Sequence, residues 1–295
     1  MSLNGRVAIV TGAGGGLGRE HALYLASQGA AVVVNDMNPD AAAAVTAEIE
    51  AAGGEALAVA ASVTDEAAVA DMVAKTMDRW GRVDVLVNNA GILRDKSFGK
   101  MDLADFRLIV DVHLMGAVIC TRAVWEIMRT QDHGRIVMTT SSSGLYGNFG
   151  QANYCAAKMA LVGLMQTLAI EGEKYGIRVN CLAPTAATGM TEGLLPPQAL
   201  ERLNPKLVSP ALLLLCGDEA PTRAVVCAGA GHFARAYVTL TQGQFIGGGE
   251  DAGQRLVAAW DQVSDREGEL VPAYGLTQAE REVTIAGTHE GQAGS

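Results

Sequence analysis

Tyr154 and Lys158 stand four residues apart in a segment continued by Leu161, Leu164, Met165 and Leu168, the spacing of a helix. Residues i and i+4 share a helix face, so the phenol and the ammonium would lie side by side. A free tyrosine titrates near pH ~10 and is a poor base at neutral pH. A neighbouring ammonium favours the phenolate and lowers that value, which suits the tyrosine to general acid–base work. Tyr-Lys pairs at this spacing also occur on ordinary helices, so the pair gains meaning from its company. Three hydroxyls, Ser141, Ser142 and Ser143, follow the apolar run Arg135-Ile136-Val137-Met138, and by sequence alone they are rivals for one role.

A second chemistry lies near the N-terminus. Thr11-Gly12-Ala13-Gly14-Gly15-Gly16-Leu17-Gly18 joins the strand-like Val7-Ala8-Ile9-Val10 to a helical segment. Glycines there permit a tight turn and close backbone approach to a pyrophosphate, and the helix N-terminus adds unpaired N–H groups. Gly12, Gly14, Gly15, Gly16, Leu17 and Gly18 are therefore candidate dinucleotide-binding residues, because the loop has the strand-to-helix context that this motif requires. Asp36 ends the next apolar run, Ala31-Val32-Val33-Val34. An acid there can accept from both adenosine ribose hydroxyls and would repel a 2′-phosphate. No arginine lies beside it, so the expected cofactor is NAD rather than NADP.

These residues need a scaffold. Strands are expected at Val7–Val10, Ala31–Val34, Val83–Val87, Arg135–Met138 and Arg178–Leu182, with helices such as Leu17–Gln28 and Pro39–Ala52 between them. Near-continuous apolar strands suit burial on both faces, hence a parallel sheet. Strand–helix alternation then predicts an α/β chain with a single Rossmann-type, doubly wound parallel sheet. Residues 1–246 would form the catalytic domain. Residues 247–295, after Gly247-Gly248-Gly249, would form a C-terminal surface extension with a disordered end. The segment 185–210, rich in Thr, Gly and Pro, reads as a pocket lid with Met190, Leu194 and Leu195 as apolar lining.

Composition narrows the classes. The chain has 295 residues, with 22 Lys and Arg against 32 Asp and Glu, for a formal charge of −10. That balance lacks the basic footprint of a nucleic-acid binder. No uncharged apolar run reaches the roughly 20 residues that span a bilayer. The first residues show no signal-peptide pattern and the last two, Gly294-Ser295, are not a peroxisomal address, so a cytoplasmic protein is expected. The five cysteines are scattered without a CxxC pair, so neither a disulfide framework nor a metal site is expected.

Together, the glycine loop, Asn88-Asn89-Ala90-Gly91, the serine after the strand ending at Met138, and Tyr154 with Lys158 closely resemble the short-chain dehydrogenase/reductase family. The resemblance covers residues 5 to about 190, with the motifs in family order and spacing. It implies that Tyr154 is the acid–base residue, that Lys158 assists it and holds the nicotinamide ribose, and that Ser141 bonds the substrate oxygen. The family's serine-to-tyrosine interval of thirteen selects Ser141 over its neighbours. The resemblance also implies that Asn89, Ala90, Gly91, Pro184 and Thr185 flank the nicotinamide ribose. An Asp-Val pair usual beside adenine reads Ser62-Val63 here. An asparagine usual on the central helix is replaced by His113, in Val112-His113-Leu114-Met115-Gly116, making His113 a candidate for its relay role.

Within the family, Asn88 to Lys96, Gly144 to Tyr154 and Val225 to Phe233 are similar to the (3R)-hydroxyacyl-CoA dehydrogenase domains of type 2 peroxisomal multifunctional enzymes, which are also grouped with 17β-hydroxysteroid dehydrogenases of type 4. A free-standing, bacterial-type homologue without the hydratase and carrier domains is expected. The resemblance implies a 3-hydroxyacyl-CoA substrate, with Arg94, Lys96 and Lys100 available to its phosphates, and a homodimer or homotetramer. A hydroxysteroid or other small-alcohol dehydrogenase is the alternative enzyme. An NAD(H)-binding regulator without turnover is the alternative of another class, disfavoured by the intact Ser141, Tyr154 and Lys158.

Overall fold

The computed structural model describes residues 2–187 and 197–293. These fall into two compact units, one ending at Ala236 and one beginning at Tyr237.

The first unit is built on strands β1 (Val7–Thr11), β2 (Ala31–Asp36), β3 (Ala56–Ala60), β4 (Val85–Asn88), β5 (Gly134–Thr139), β6 (Ile177–Thr185), β7 (Val225–Gly229) and β8 (His232–Ala236). They form one sheet of order β3-β2-β1-β4-β5-β6-β7-β8. All neighbours pair in parallel except β7 with β8, which is antiparallel. The doubly wound parallel sheet is as expected, and the reversed edge strand is an addition. Its sharp return runs through Ala230 and Gly231, both at positive φ.

The apolar strands divide their side chains between two layers. Ala8, Val10, Val32, Val34, Val85 and Val87 enter one core, while Ile9, Val33 and Leu86 enter the other. Helices α1 (Gly16–Ser27) and α2 (Pro39–Ala51) cover the first face. Helices α3 (Glu66–Trp80), α5 (Gly116–Thr130) and α7 (Ala152–Gly172) cover the second, with α4 (Leu103–Val110) and α6 (Ser142–Tyr146) lying between them in the chain. Burial on both faces is what makes the strands near-continuously apolar. Local signals set the helix ends. Asn38 caps α2 through its side chain with Pro39 at the first position, and Asp65 caps α3, which stops at Gly81 (φ 70°).

Asp84 opens β4 as a fully buried carboxylate held by Arg6, Arg82 and the Val7 amide. This network ties the start of β1 to the start of β4, at the end of the sheet opposite the strands' carboxyl ends.

In the second unit Leu240 and Leu270 form an antiparallel bridge. Helices of this unit include α10 (Ala252–Ala258), α11 (Trp260–Val263) and α12 (Leu276–Ala293), numbered after α8 (Pro197–Arg202) and α9 (Ala211–Cys216) of the first unit. The unit begins before the glycine run at 247–249, where the sequence suggested a boundary. The chain end, expected to be disordered, is helical to Ala293. Its Glu, Gln, Arg and Ala content favours helix, and Gln278 bonds Glu282 one turn on at 2.8 Å. No helix among the described residues is long and apolar enough to cross a membrane.

Candidate active site

The sheet order turns in opposite directions from β1 and β4, and open α/β sheets bind ligands at such a point, beyond the strand carboxyl ends. A cleft of about 480 Å³ lies there.

One wall is the β1–α1 loop. Gly15 precedes α1 with no side-chain cap, and the first turn carries no acidic residue. The first amides of the helix are thus left for an external anion. The glycines divide in purpose. A Cβ on Gly18 would stand 2.1 Å from the Gly12 carbonyl oxygen, and one on Gly12 would stand 2.8 Å from the Ala90 Cα. Those two glycines permit backbone packing. A Cβ on Gly15 would meet nothing within 4 Å, so its bareness keeps the cleft open.

Asp36 closes this end. Its Oδ2 accepts from the Gly14 amide at 2.9 Å and its Oδ1 from the Asn38 amide at 3.0 Å. The carboxylate is therefore fixed in direction at the end of β2.

The Asn88–Gly91 turn is stitched to the loop. Thr11 Oγ1 accepts from the Asn89 and Ala90 amides, each at 3.0 Å, and Asn89 Nδ2 donates to the Thr11 and Gly12 carbonyls at 3.0 and 3.2 Å. Asn89 thus acts largely by shaping the glycine loop.

The opposite wall carries Ser141, Tyr154 and Lys158. Ser141 follows β5 and caps α6, its Oγ accepting from the Ser143 amide at 3.1 Å. Tyr154 occupies the first turn of α7 and Lys158 the next. Ser142 and Ser143 also line the cleft, but Ser141 is the serine hydroxyl that acts on the Tyr154 phenol, favouring its ionised form.

Lys158 is fully enclosed. Its Nζ donates to the Thr139 carbonyl at 2.6 Å and lies 5.6 Å from the centre of the Tyr154 ring. Burial pushes the ammonium down to about 7. Tyr154 is also shifted, but upward, because burial outweighs the Ser141 hydrogen bond and Asp95 adds its negative charge. Burial is thus the larger influence on the phenol, and the ammonium makes its hydrogen bond to a backbone carbonyl.

His113 sits on a π-helical turn, Asp111–Met115, between α4 and α5. Such turns displace a side chain from regular helical spacing and recur at functional sites. Its ring meets Tyr154 edge-on at 5.2 Å. Nε2 meets the Ile92 backbone, 2.8 Å from its carbonyl oxygen and 3.1 Å from its amide nitrogen, so it donates to the one or accepts from the other according to tautomer, while Nδ1 has no partner among the described residues. Burial and the Lys158 charge push the imidazole down to about 3, so it is neutral. Gly91 makes room for it: a Cβ there would stand 2.3 Å from His113 Cε1.

Most of the residues expected from sequence meet in this cleft. Gly12, Gly15, Gly16, Leu17, Gly18, Asp36, Asn89, Gly91, Pro184 and Thr185 line it with Ser141, Tyr154, Lys158 and His113. Gly14, Ser62, Val63 and Ala90 do not. Gly14 is covered by Asp36, and the Ser62 hydroxyl is paired with Thr64 at 2.9 Å. Val63 and Ala90 border a separate cavity of about 10 Å³ beside His113. Met190, Leu194 and Leu195 lie outside the described residues.

Three side chains escaped the sequence reading. Gln151 is buried against the cleft, its Nε2 donating to Asp95 Oδ2 at 2.7 Å and its Oε1 accepting from Asn148 at 3.0 Å. Asp95 and Gln151 come from segments 56 residues apart, so no spacing could pair them.

Comparison with known proteins agrees with this geometry. Residues 6–198 match the short chain dehydrogenase family. A short-chain type dehydrogenase/reductase of Mycobacterium tuberculosis is 44% identical over 92% of this chain and 98% of its own length. Peroxisomal multifunctional enzyme type 2 of Drosophila melanogaster is 52% identical over 74% of this chain, a match spanning only 38% of that longer protein. The solved full-length fly enzyme superposes with a TM-score of 0.81 at 39% identity, covering 97% of this chain and 50% of that one. A 7α-hydroxysteroid dehydrogenase solved with NADH and 7-oxo glycochenodeoxycholic acid gives 0.73 at 32% identity, over 78% of this chain and 95% of its own. The chain belongs to the short-chain dehydrogenase/reductase family and is an oxidoreductase acting on CH–OH groups.

Proposed function

We propose that the protein oxidises a 3-hydroxyacyl-CoA with NAD, reversibly, through Ser141, Tyr154 and Lys158. The observation that carries this reading is the meeting of those side chains in one cleft with an uncapped helix N-terminus.

The cleft fits a dinucleotide. The bare first turn of α1 suits a pyrophosphate, and Asp36, fixed by two backbone amides, suits ribose hydroxyls and disfavours a 2′-phosphate. A relative solved with NADH supports the same choice. Held there, the nicotinamide supplies the hydride acceptor.

The protein's own groups handle the proton. Tyr154 Oη takes it from the alcohol during oxidation and returns it during reduction. Ser141 Oγ donates to the substrate oxygen and fixes its direction. Lys158 lies behind the phenol, and its charge favours the phenolate when one forms. Neutral His113 holds the Gly91–Ile92 backbone through Ile92, which keeps this wall of the cleft in place.

Similarity to the multifunctional enzymes supports the acyl-CoA substrate. At the rim, Arg94 and Lys96 remain half exposed, each 3.8 Å from Asp105, and suit phosphates in reach of solvent. A hydroxysteroid is the second reading, favoured by the bile-acid complex of the 7α-hydroxysteroid relative. In this account the enzyme works in the cytoplasm as a homodimer or homotetramer.

The test is NADH formation from NAD with a (3R)-3-hydroxyacyl-CoA, its (3S) isomer and a 17β-hydroxysteroid in parallel. Turnover confined to the (3R) thioester is the expected result. Turnover of the steroid alone would discard the acyl-CoA substrate and keep the acid–base assignment.

A further inference from the structure

Gln151 is 5% exposed and lines the cleft together with Tyr154, three residues before that tyrosine. Its amide orientation follows from chemistry alone. A carboxylate can only accept, so the atom 2.7 Å from Asp95 Oδ2 is the nitrogen; the oxygen then accepts from Asn148 Nδ2 at 3.0 Å. Clamped at both ends, the amide has one rotamer and one direction.

An amide nitrogen carries two hydrogens. Among the described residues Asp95 accepts one of them, and the other meets no protein acceptor. A hydrogen bond to an ionised acceptor is stronger than a neutral one, so the Asp95 clamp is firm. The cleft is therefore lined by a further side-chain donor, Gln151, besides the hydroxyls of Ser141 and Tyr154.

We propose that Gln151 is a specificity-determining residue that donates its second N–H to the thioester carbonyl oxygen of the substrate, with Asp95 and Asn148 as positioning residues. The inference rests on the acyl-thioester reading and deepens it. A 3-hydroxyacyl thioester presents two oxygens in a 1,3 relationship, one for the Ser141 and Tyr154 hydroxyls and one for Gln151. A lone secondary alcohol presents one. A substrate lacking the second oxygen would leave a buried donor unpaired, and such unpaired groups are how sites reject analogues.

A matched pair of substrates tests this. (3R)-3-hydroxyhexanoyl-CoA and the S-(3-hydroxyhexyl)-CoA thioether differ only by the thioester carbonyl oxygen. The wild-type enzyme is expected to favour the thioester in kcat/KM. In Gln151→Met, which keeps the side-chain volume, thioester kcat/KM falls about 5- to 20-fold, the size of one hydrogen bond, while thioether kcat/KM holds. Gln151→Glu, which replaces the donor by an acceptor, loses the preference as well. Asp95→Ala shows the same selective loss to a smaller degree. NADH affinity and melting temperature, measured on each variant, verify the fold. Equal losses on both substrates, or a wild type without thioester preference, would overturn the role of Gln151 alone. A wild type inert on both compounds would overturn the acyl-thioester reading itself and this assignment with it.

Discussion

Lys158 Nζ donates its 2.6 Å hydrogen bond to the Thr139 carbonyl while lying 5.6 Å from the centre of the Tyr154 ring. The two residues share a helix face, as their spacing requires, but the ammonium addresses backbone. Burial displaces each toward its uncharged form, Tyr154 upward and Lys158 down to about 7.

A raised phenol makes a directional prediction. Protonated Tyr154 is the form that donates to a ketone oxygen, and the phenolate is the form that accepts from an alcohol. Oxidation is therefore expected to accelerate as pH rises from 7 through the alkaline range, and reduction to slow. The charged or titratable groups around Tyr154 are Lys158, Asp95, Cys155 and neutral His113, with the Ser141 hydroxyl opposing the shift. Initial rates in both directions across that range provide the measurement. An oxidation rate that is flat above pH 7 would contradict a protonated resting phenol.

Removal of the phenol hydroxyl is more direct. Tyr154→Phe keeps the ring and its edge contact with His113, so the cleft should keep its shape. Turnover is expected to fall about 10²–10⁴-fold, the range for loss of a general acid–base group. NADH affinity, followed by fluorescence, should remain that of the wild type. Retained turnover in this variant would remove Tyr154 from the proton path.

Much of this arrangement was legible in the sequence, and the gaps have physical causes. Helix periodicity paired Tyr154 with Lys158, and apolar runs located β1, β2, β5 and β6 within a residue or a few at each end. β3 is hard to see in sequence because Ala56–Ala60 is alanine-rich and buries only Ala56 and Val59 fully, unlike the central strands. Choosing Ser141 among three serines needed family resemblance, since their rival hydroxyls differ only in what each meets in three dimensions. The Thr139 carbonyl that engages Lys158 leaves no trace in residue type, because every residue carries a carbonyl. The Asp95–Gln151 clamp joins distant segments, which single-sequence patterns do not encode.

The glycine loop separates packing from binding. Gly18→Ala drives a Cβ to 2.1 Å from the Gly12 carbonyl, so backbone must shift. Overpacking of this kind costs about 1–3 kcal/mol, seen as a lower melting temperature of the protein without cofactor. Gly15 has φ −168°, an extended conformation open to any residue, and nothing within 4 Å of an added Cβ. Gly15→Ala should therefore melt like the wild type and bind NADH more weakly. Equal melting behaviour of the two variants would refute the division.

Stability should fall in mild acid. Burial holds His21 and His113 down to about 3, and burial with the Arg135 charge holds His133 down to about 4, against 6.5 for a free imidazole. Each stays neutral in the folded chain and gains a proton on unfolding. Between pH 6.5 and about 4 the unfolded state therefore binds more protons, and stability drops as pH falls through that window; above 6.5 the three contribute no slope. One extra proton corresponds to at most about 1.4 kcal/mol per pH unit. Lys158 acts over a different range with the same sign. Its folded value of about 7 lies below the free 10.5, so its cost is fully present below pH 7 and is relieved as pH rises toward 10.5. Lys158→Met, similar in length and uncharged, is expected to raise the urea midpoint at pH 7 and to flatten its rise toward pH 9. His21→Leu gives up a 2.9 Å contact with Ser209, but it should shallow the fall between pH 6.5 and 4.5 by up to one proton. Urea midpoints that do not change between pH 7 and 4.5 would show that these imidazoles are protonated in the folded chain.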